Sequence, residues 1–94
     1  MTMISNNPTQ SSPLIENLMY AAAICMAQGK VDDAILMYDK IVSLASDYAK
    51  AYYERGRARH LSGNHRGAAE DLKRAFQLSP ELEKEITGQF HVKK

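Results

Sequence analysis

The chain is 94 residues long, enough for one domain with a modest core. Its 12 lysines and arginines stand against 11 aspartates and glutamates, and a net charge of +1 excludes a global pull toward nucleic acid or anionic membranes. A hydrophobic share of 45% excludes a disordered chain, and the single cysteine, Cys25, excludes an intramolecular disulfide and fits a reducing compartment.

Residues 1–11 are rich in Ser, Asn, Thr, Gln and Pro, so residues 1–12 read as a flexible tail ahead of the domain. The opening MTMISNNPTQSS has neither a basic start nor an apolar run and does not read as a secretory signal. Ser12-Pro13 is a helix start, with serine as cap and proline in the first turn. Apolar residues then recur at helical spacing as far as Ile86, and no segment shows sustained strand alternation. The most apolar stretch, Leu18 to Ala27, has ten residues, roughly half of a membrane span. These features predict a cytoplasmic protein with no membrane partner.

The breaks are regular. Gly29-Lys30 closes the first helix, Ser46-Asp47 the second and Ser62-Gly63-Asn64 the third, with Asn64 placed to cap the fourth. Ser79-Pro80 closes the fourth, because a residue before proline resists the helical region. Gly88 closes a short fifth. The spacing predicts helices over 13–28, 31–45, 48–62, 65–78 and 81–87, an all-α domain over 13–87 and a C-terminal tail over 88–94.

Shifted by 34 residues, the chain partly repeats itself. Gly29 falls on Gly63, Ala34 on Ala68 and Leu44 on Leu78; Lys40 falls on Arg74 and Asp47 on Glu81. The glycines occupy the turn between paired helices, where a left-handed residue is wanted. The alanines occupy the close crossing, where a larger side chain would part the helices. A 34-residue helix-turn-helix period resembles the tetratricopeptide repeat (TPR) family. In the second unit, 49–82, Tyr52 stands at the large aromatic position, Gly56 at a small one, and Ala68, Leu72, Ala75 and Pro80 at theirs. In the first unit, 15–48, Leu18, Ala22, Gly29, Ala34, Tyr38 and Ile41 fit, but Ser46 replaces the closing proline. The resemblance implies two hairpins stacked as a short right-handed α-solenoid, with 81–87 as a capping helix whose apolar edge is Leu82 and Ile86.

Arg55 and Arg59 occupy slots that the family usually gives to apolar residues. The expectation is that Arg55 pairs with Asp71, its stem packed on the core, and that Arg59 snorkels to solvent.

The resemblance also implies a concave groove lined by the first helix of each hairpin, and a protein or peptide as partner. The positions carried over are Glu16, Met19, Tyr20, Ala23, Met26 and Ala27 in the first unit, and Lys50, Tyr53, Glu54, Arg57, His60 and Leu61 in the second. Methionine and aromatic side chains suit adaptable recognition. The competing reading is that Met19 and Met26 are simply packed and the polar positions a solvated face. A family use, the carboxylate clamp for chaperone tails, does not fit: its cationic and amide positions hold Met19, Ala23 and Glu54.

Catalysis finds no nucleophile, base and orienting group, and no glycine-rich phosphate loop. His60, His65 and His91 do not put two ligands on one helical turn, and no metal or cofactor is expected. Cys25 reads as a small inward hydrophobe. Arg55, Arg57, Arg59, His60, His65 and Arg66 form a basic run, but Glu54, Glu70 and Asp71 are interleaved, so nucleic acid is the weakest reading. Two functions from different classes remain: an adaptor that takes a partner segment in its groove, and a self-associating module whose homodimer buries the Met-lined face.

Overall fold

The computed structural model describes residues 12–90, with side chains as far as Ile86. The expected tail at 1–11 and the terminal residues 91–94, His91 included, lie outside the described residues. Five helices follow one another: α1 (Pro13–Ala27), α2 (Val31–Leu44), α3 (Ala49–Leu61), α4 (His65–Leu78) and α5 (Pro80–Phe90). There is no strand among the described residues. α1 pairs with α2, α3 with α4, α3 packs on α2, and α5 leans on α4. This is an all-α helical-repeat solenoid.

The backbone repeats more faithfully than the side chains. α1 ends with Gly29 at φ +79° and α3 with Gly63 at φ +96°. In both turns the same two hydrogen bonds tie off the helix: Gly29 N–H to the Met26 carbonyl and Lys30 N–H to Cys25, then Gly63 N–H to His60 and Asn64 N–H to Arg59. That pairing is the Schellman motif, and the left-handed residue it needs is glycine in both places. The second helices also end alike. Ala45 (φ −139°, ψ 80°) and Ser79 (φ −143°, ψ 89°) turn the chain out of the helix in an extended conformation.

The core is built from small residues at the crossings and a few large ones between them. Ala22, Ala34, Ala51, Ala58 and Ala75 are fully buried, with Ile15, Tyr38 and Ile41 beside them. The four alanines Ala22, Ala34, Ala51 and Ala58 let α1, α2 and α3 approach closely. Gly56 serves the same end in the second hairpin. A Cβ there would stand 3.2 Å from the Ala68 carbonyl oxygen and 3.3 Å from Leu72 Cγ.

Three local expectations need correction. Ser12 holds the position before α1 but its hydroxyl makes no capping bond, so Pro13 alone sets that start. Gly88 does not end the fifth helix, which runs from Pro80 to Phe90. An isolated helical glycine costs only about 1 kcal/mol relative to alanine, and neighbours on both sides carry the helix through it. Arg59 does not snorkel outward: its NH1 lies 3.1 Å from Asp71 Oδ2. Asn64 does cap α4, its Oδ1 accepting the Gly67 N–H at 2.9 Å.

Candidate functional site

A hollow of about 520 Å³ opens between α1 and α3. α1 lines one wall with Glu16, Met19, Tyr20, Ala23 and Met26, which fall on one stripe at spacings of three and four. α3 lines the other with Lys50, Glu54 and Arg57, again on one stripe. Lys50 is the 34-residue counterpart of Glu16, so equivalent positions face each other with opposite charge. Tyr38 of α2 and Tyr48 of the α2–α3 connection complete the lining.

The α1 wall is apolar and partly open. Tyr20 is 74% exposed, Ala23 is exposed, and Met19 and Met26 are half-buried. The α3 wall is polar and internally paired: Arg57 NH1 meets Glu54 Oε1 at 2.9 Å. Tyr38 is almost wholly buried, and its phenol is pushed up to about 12, first by desolvation and then by the charge of Glu54. Tyr48 is raised in the same sense, by burial and then by Glu16.

Tyr53 and His60, expected in the same groove, stand apart from it. The Tyr53 ring lies 6.4 Å from that of Phe76, which turns it toward α4. His60 Nδ1 is 2.9 Å from His65 Nδ1, with the rings edge to face at 4.6 Å. Both residues line a second, more apolar hollow of about 560 Å³ among α3, α4 and α5, together with Leu61, Leu72, Phe76 and Ile86. Arg57 borders both hollows.

Behind the α3 wall lies a charged cluster. Arg55 donates through Nε and NH2 to the two Asp71 oxygens, each at 2.9 Å, and through NH1 to Asp39 Oδ1 at 2.9 Å. With Arg59 added, two cations meet two anions. Asp71 is the buried member at 5% side-chain exposure, whereas Asp39 is 46% exposed. The hydrogen bond that Arg55 donates to Asp71 raises the guanidinium above its usual value, against burial, which lowers it. Tyr52 backs the cluster, its hydroxyl donating to the Ser46 carbonyl at 2.9 Å and its ring lying 5.6 Å from the Arg55 guanidinium carbon.

The remaining repeat positions serve packing. Ala68 and Ala75 are buried, Gly56 meets α4, and Pro80 opens α5. Sequence reasoning gave Tyr38 to the repeat framework alone and passed over Tyr48 and Asp39. One signal was available for Tyr38. Its counterpart in the second unit is Leu72, so the position needs apolar bulk and the hydroxyl is additional.

No family model matches the chain. A mouse protein, tetratricopeptide repeat protein 36, is 43% identical over 51 residues, which is 54% of this chain and 27% of that protein. The bovine protein of the same name is 38% identical over 58 residues, 62% of this chain and 31% of that protein. The chain is similar to tetratricopeptide-repeat proteins. It matches less than a third of the length of these curated relatives. Among the described residues no helix is long and apolar enough to cross a membrane, and no three His, Cys, Asp or Glu side chains converge as metal ligands.

Proposed function

We propose that the protein is a non-catalytic interaction module that takes a segment of a partner protein in the hollow between α1 and α3. The observation that carries this reading is the asymmetry of the lining: Met19, Tyr20, Ala23 and Met26 leave apolar surface open opposite Lys50, Glu54 and Arg57. Flexible methionines and an exposed tyrosine are side chains that adapt to a partner. Similarity to repeat proteins supports the reading at the level of class. The basic run at 55–66 is a poor phosphate surface, since Arg55 and Arg59 meet Asp71 and Arg57 meets Glu54.

A second reading has two copies burying the Met-lined face against each other. Tyr20 favours it, being 74% exposed at the mouth of the hollow. Solution mass by light scattering across a concentration series, for the native chain and Met26→Glu, separates the two. A dimer abolished by Met26→Glu with the helical signal retained supports the self-associating module. A monomer that selects peptides from a displayed random library, and stops selecting them as Met26→Glu, supports the adaptor. A monomer that selects no peptide removes both.

A further inference from the structure

We propose that His60 and His65 form a two-nitrogen chelate for a tetragonal divalent transition-metal ion, Cu(II) above all, at the rim of the hollow among α3, α4 and α5. The inference stands apart from the interaction reading above. His60 lies in the last turn of α3 and His65 opens α4. Their Nδ1 atoms are 2.9 Å apart, and both residues are exposed.

The turn holds the pair in register. Gly63 N–H reaches the His60 carbonyl at 3.1 Å, Asn64 N–H the Arg59 carbonyl at 2.8 Å and His65 N–H the Gly63 carbonyl at 3.0 Å. Gly63 is left-handed at φ +96°, and Asn64 caps α4. Both helix ends are therefore fixed, and with them the spacing of the two side chains. The fold does not ask for imidazoles there: 34 residues earlier the matching turn carries Met26 and Val31.

Two neutral imidazoles at this distance share one Nδ1 proton, one ring donating and the other accepting. When that proton moves through solvent to Nε2 of the same ring, both Nδ1 atoms hold a free lone pair. Each exposed ring then turns about its broad Cβ–Cγ torsion until the lone pairs converge on one ion. Metal–nitrogen bonds of about 2.0–2.1 Å place two nitrogens about 2.9 Å apart at a right angle and about 3.3 Å apart at the tetrahedral angle. The observed spacing is the right-angled one. Right-angled nitrogen pairs suit Cu(II) and Ni(II), and Cu(II) heads the affinity order. Structural zinc takes a closed tetrahedral set of four ligands. Hard cations take oxygen, and among the described residues lining this hollow there is no carboxylate. Arg57, the charged side chain of that lining, has its NH1 on Glu54 Oε1. Water fills the other positions on the exposed side.

The probe is Cu(II), titrated into the full chain at neutral pH against glycine as a competing chelator. The expected product is one bound Cu(II) with an axial EPR spectrum split by two ring nitrogens. Loss of a partner that merely orients a ligand costs about tenfold or more in metal affinity, so His60→Gln and His65→Gln should each cost at least that. His91→Gln should bind as the native chain does. Substoichiometric Cu(II) should broaden the amide NMR signals of residues 59–67 ahead of all others, a readout that needs no variant. First broadening elsewhere in the chain, a spectrum split by a single nitrogen, or full affinity in both His60→Gln and His65→Gln overturns the inference. Tighter binding of Zn(II) than of Cu(II) overturns its right-angled geometry.

Discussion

Arg55 straddles the joint between the two hairpins, holding Asp71 of α4 with two nitrogens and Asp39 of α2 with a third, all at 2.9 Å. Both acids lie sixteen residues from it, one on each side. The bidentate grip on Asp71 fixes the crossing within the second hairpin, and the reach to Asp39 fixes that hairpin on the first. The cluster holds Arg55 and Arg59 in partly buried ion pairs, so the cations that line the hollow between α1 and α3 are Lys50 and Arg57.

The two acids should differ sharply in worth. Asp71→Ala leaves Arg55 and Arg59 without their buried anion and is expected to cost about 3–5 kcal/mol in urea unfolding. Asp39→Ala loses a bond to a half-exposed carboxylate and should cost under about 1 kcal/mol. Equal costs for the two would mean that the joint is held by something other than the Asp71 grip.

Glycine replacements probe two different physical needs. Gly29→Ala and Gly63→Ala force a side chain into the left-handed region, at about 1–2 kcal/mol each, although open space surrounds both Cβ positions. Gly56→Ala has an ordinary helical backbone but meets Ala68, Asp71 and Leu72 at 3.2–3.3 Å. It is expected to cost about 1–3 kcal/mol by parting α3 from α4. Asparagine tolerates the left-handed region better than alanine, so Gly63→Asn should recover part of the loss. Gly56→Asn should be worse than Gly56→Ala.

The same distinction governs what the sequence displayed. Gly29, Gly63, Ala34 and Ala68 recur at 34 because backbone geometry and close crossings admit few residue types, and the helices they punctuate were legible to within a residue or so. The fifth helix was misjudged because Gly88 is a weak stop with no left-handed turn to enforce it. Side-chain direction was less legible than position. Tyr53 and His60 sit on the helix that lines the hollow, yet Phe76 and His65 draw them to the other side. Asp39 was hidden because Arg55 has five donors, and sequence spacing shows the first acceptor more readily than the second. Tyr38 reads as framework by its place in the repeat, and only the fold shows that it also lines the hollow.

Capping offers a paired comparison. Asn64→Ala removes the acceptor for the Gly67 N–H and should lower stability by about 1 kcal/mol. Ser12→Ala occupies the corresponding place before α1, but its hydroxyl caps nothing, so thermal unfolding should be unchanged within error. A loss at Ser12 as large as that at Asn64 would assign the serine a capping bond in solution.

Alkaline titration tests the environment of Tyr38 directly. The folded phenol ionises near 12 against an ordinary 10.0, so above pH 10 the unfolded chain has already lost a proton that the folded chain keeps. The unfolded state binds fewer protons there, and stability falls as pH rises. The contribution is fully present below pH 10 and is lost through pH 12, a fall on the order of 2 kcal/mol from this residue. Tyr38→Phe cannot ionise at this site and should flatten that part of the profile, leaving the smaller slope that Tyr48 contributes in the same direction. Tyrosinate absorbance near 295 nm should show one late-titrating group in the native chain that the variant lacks. An identical stability profile for the two proteins between pH 10 and 12 would place the Tyr38 phenol in water rather than in the floor of the hollow.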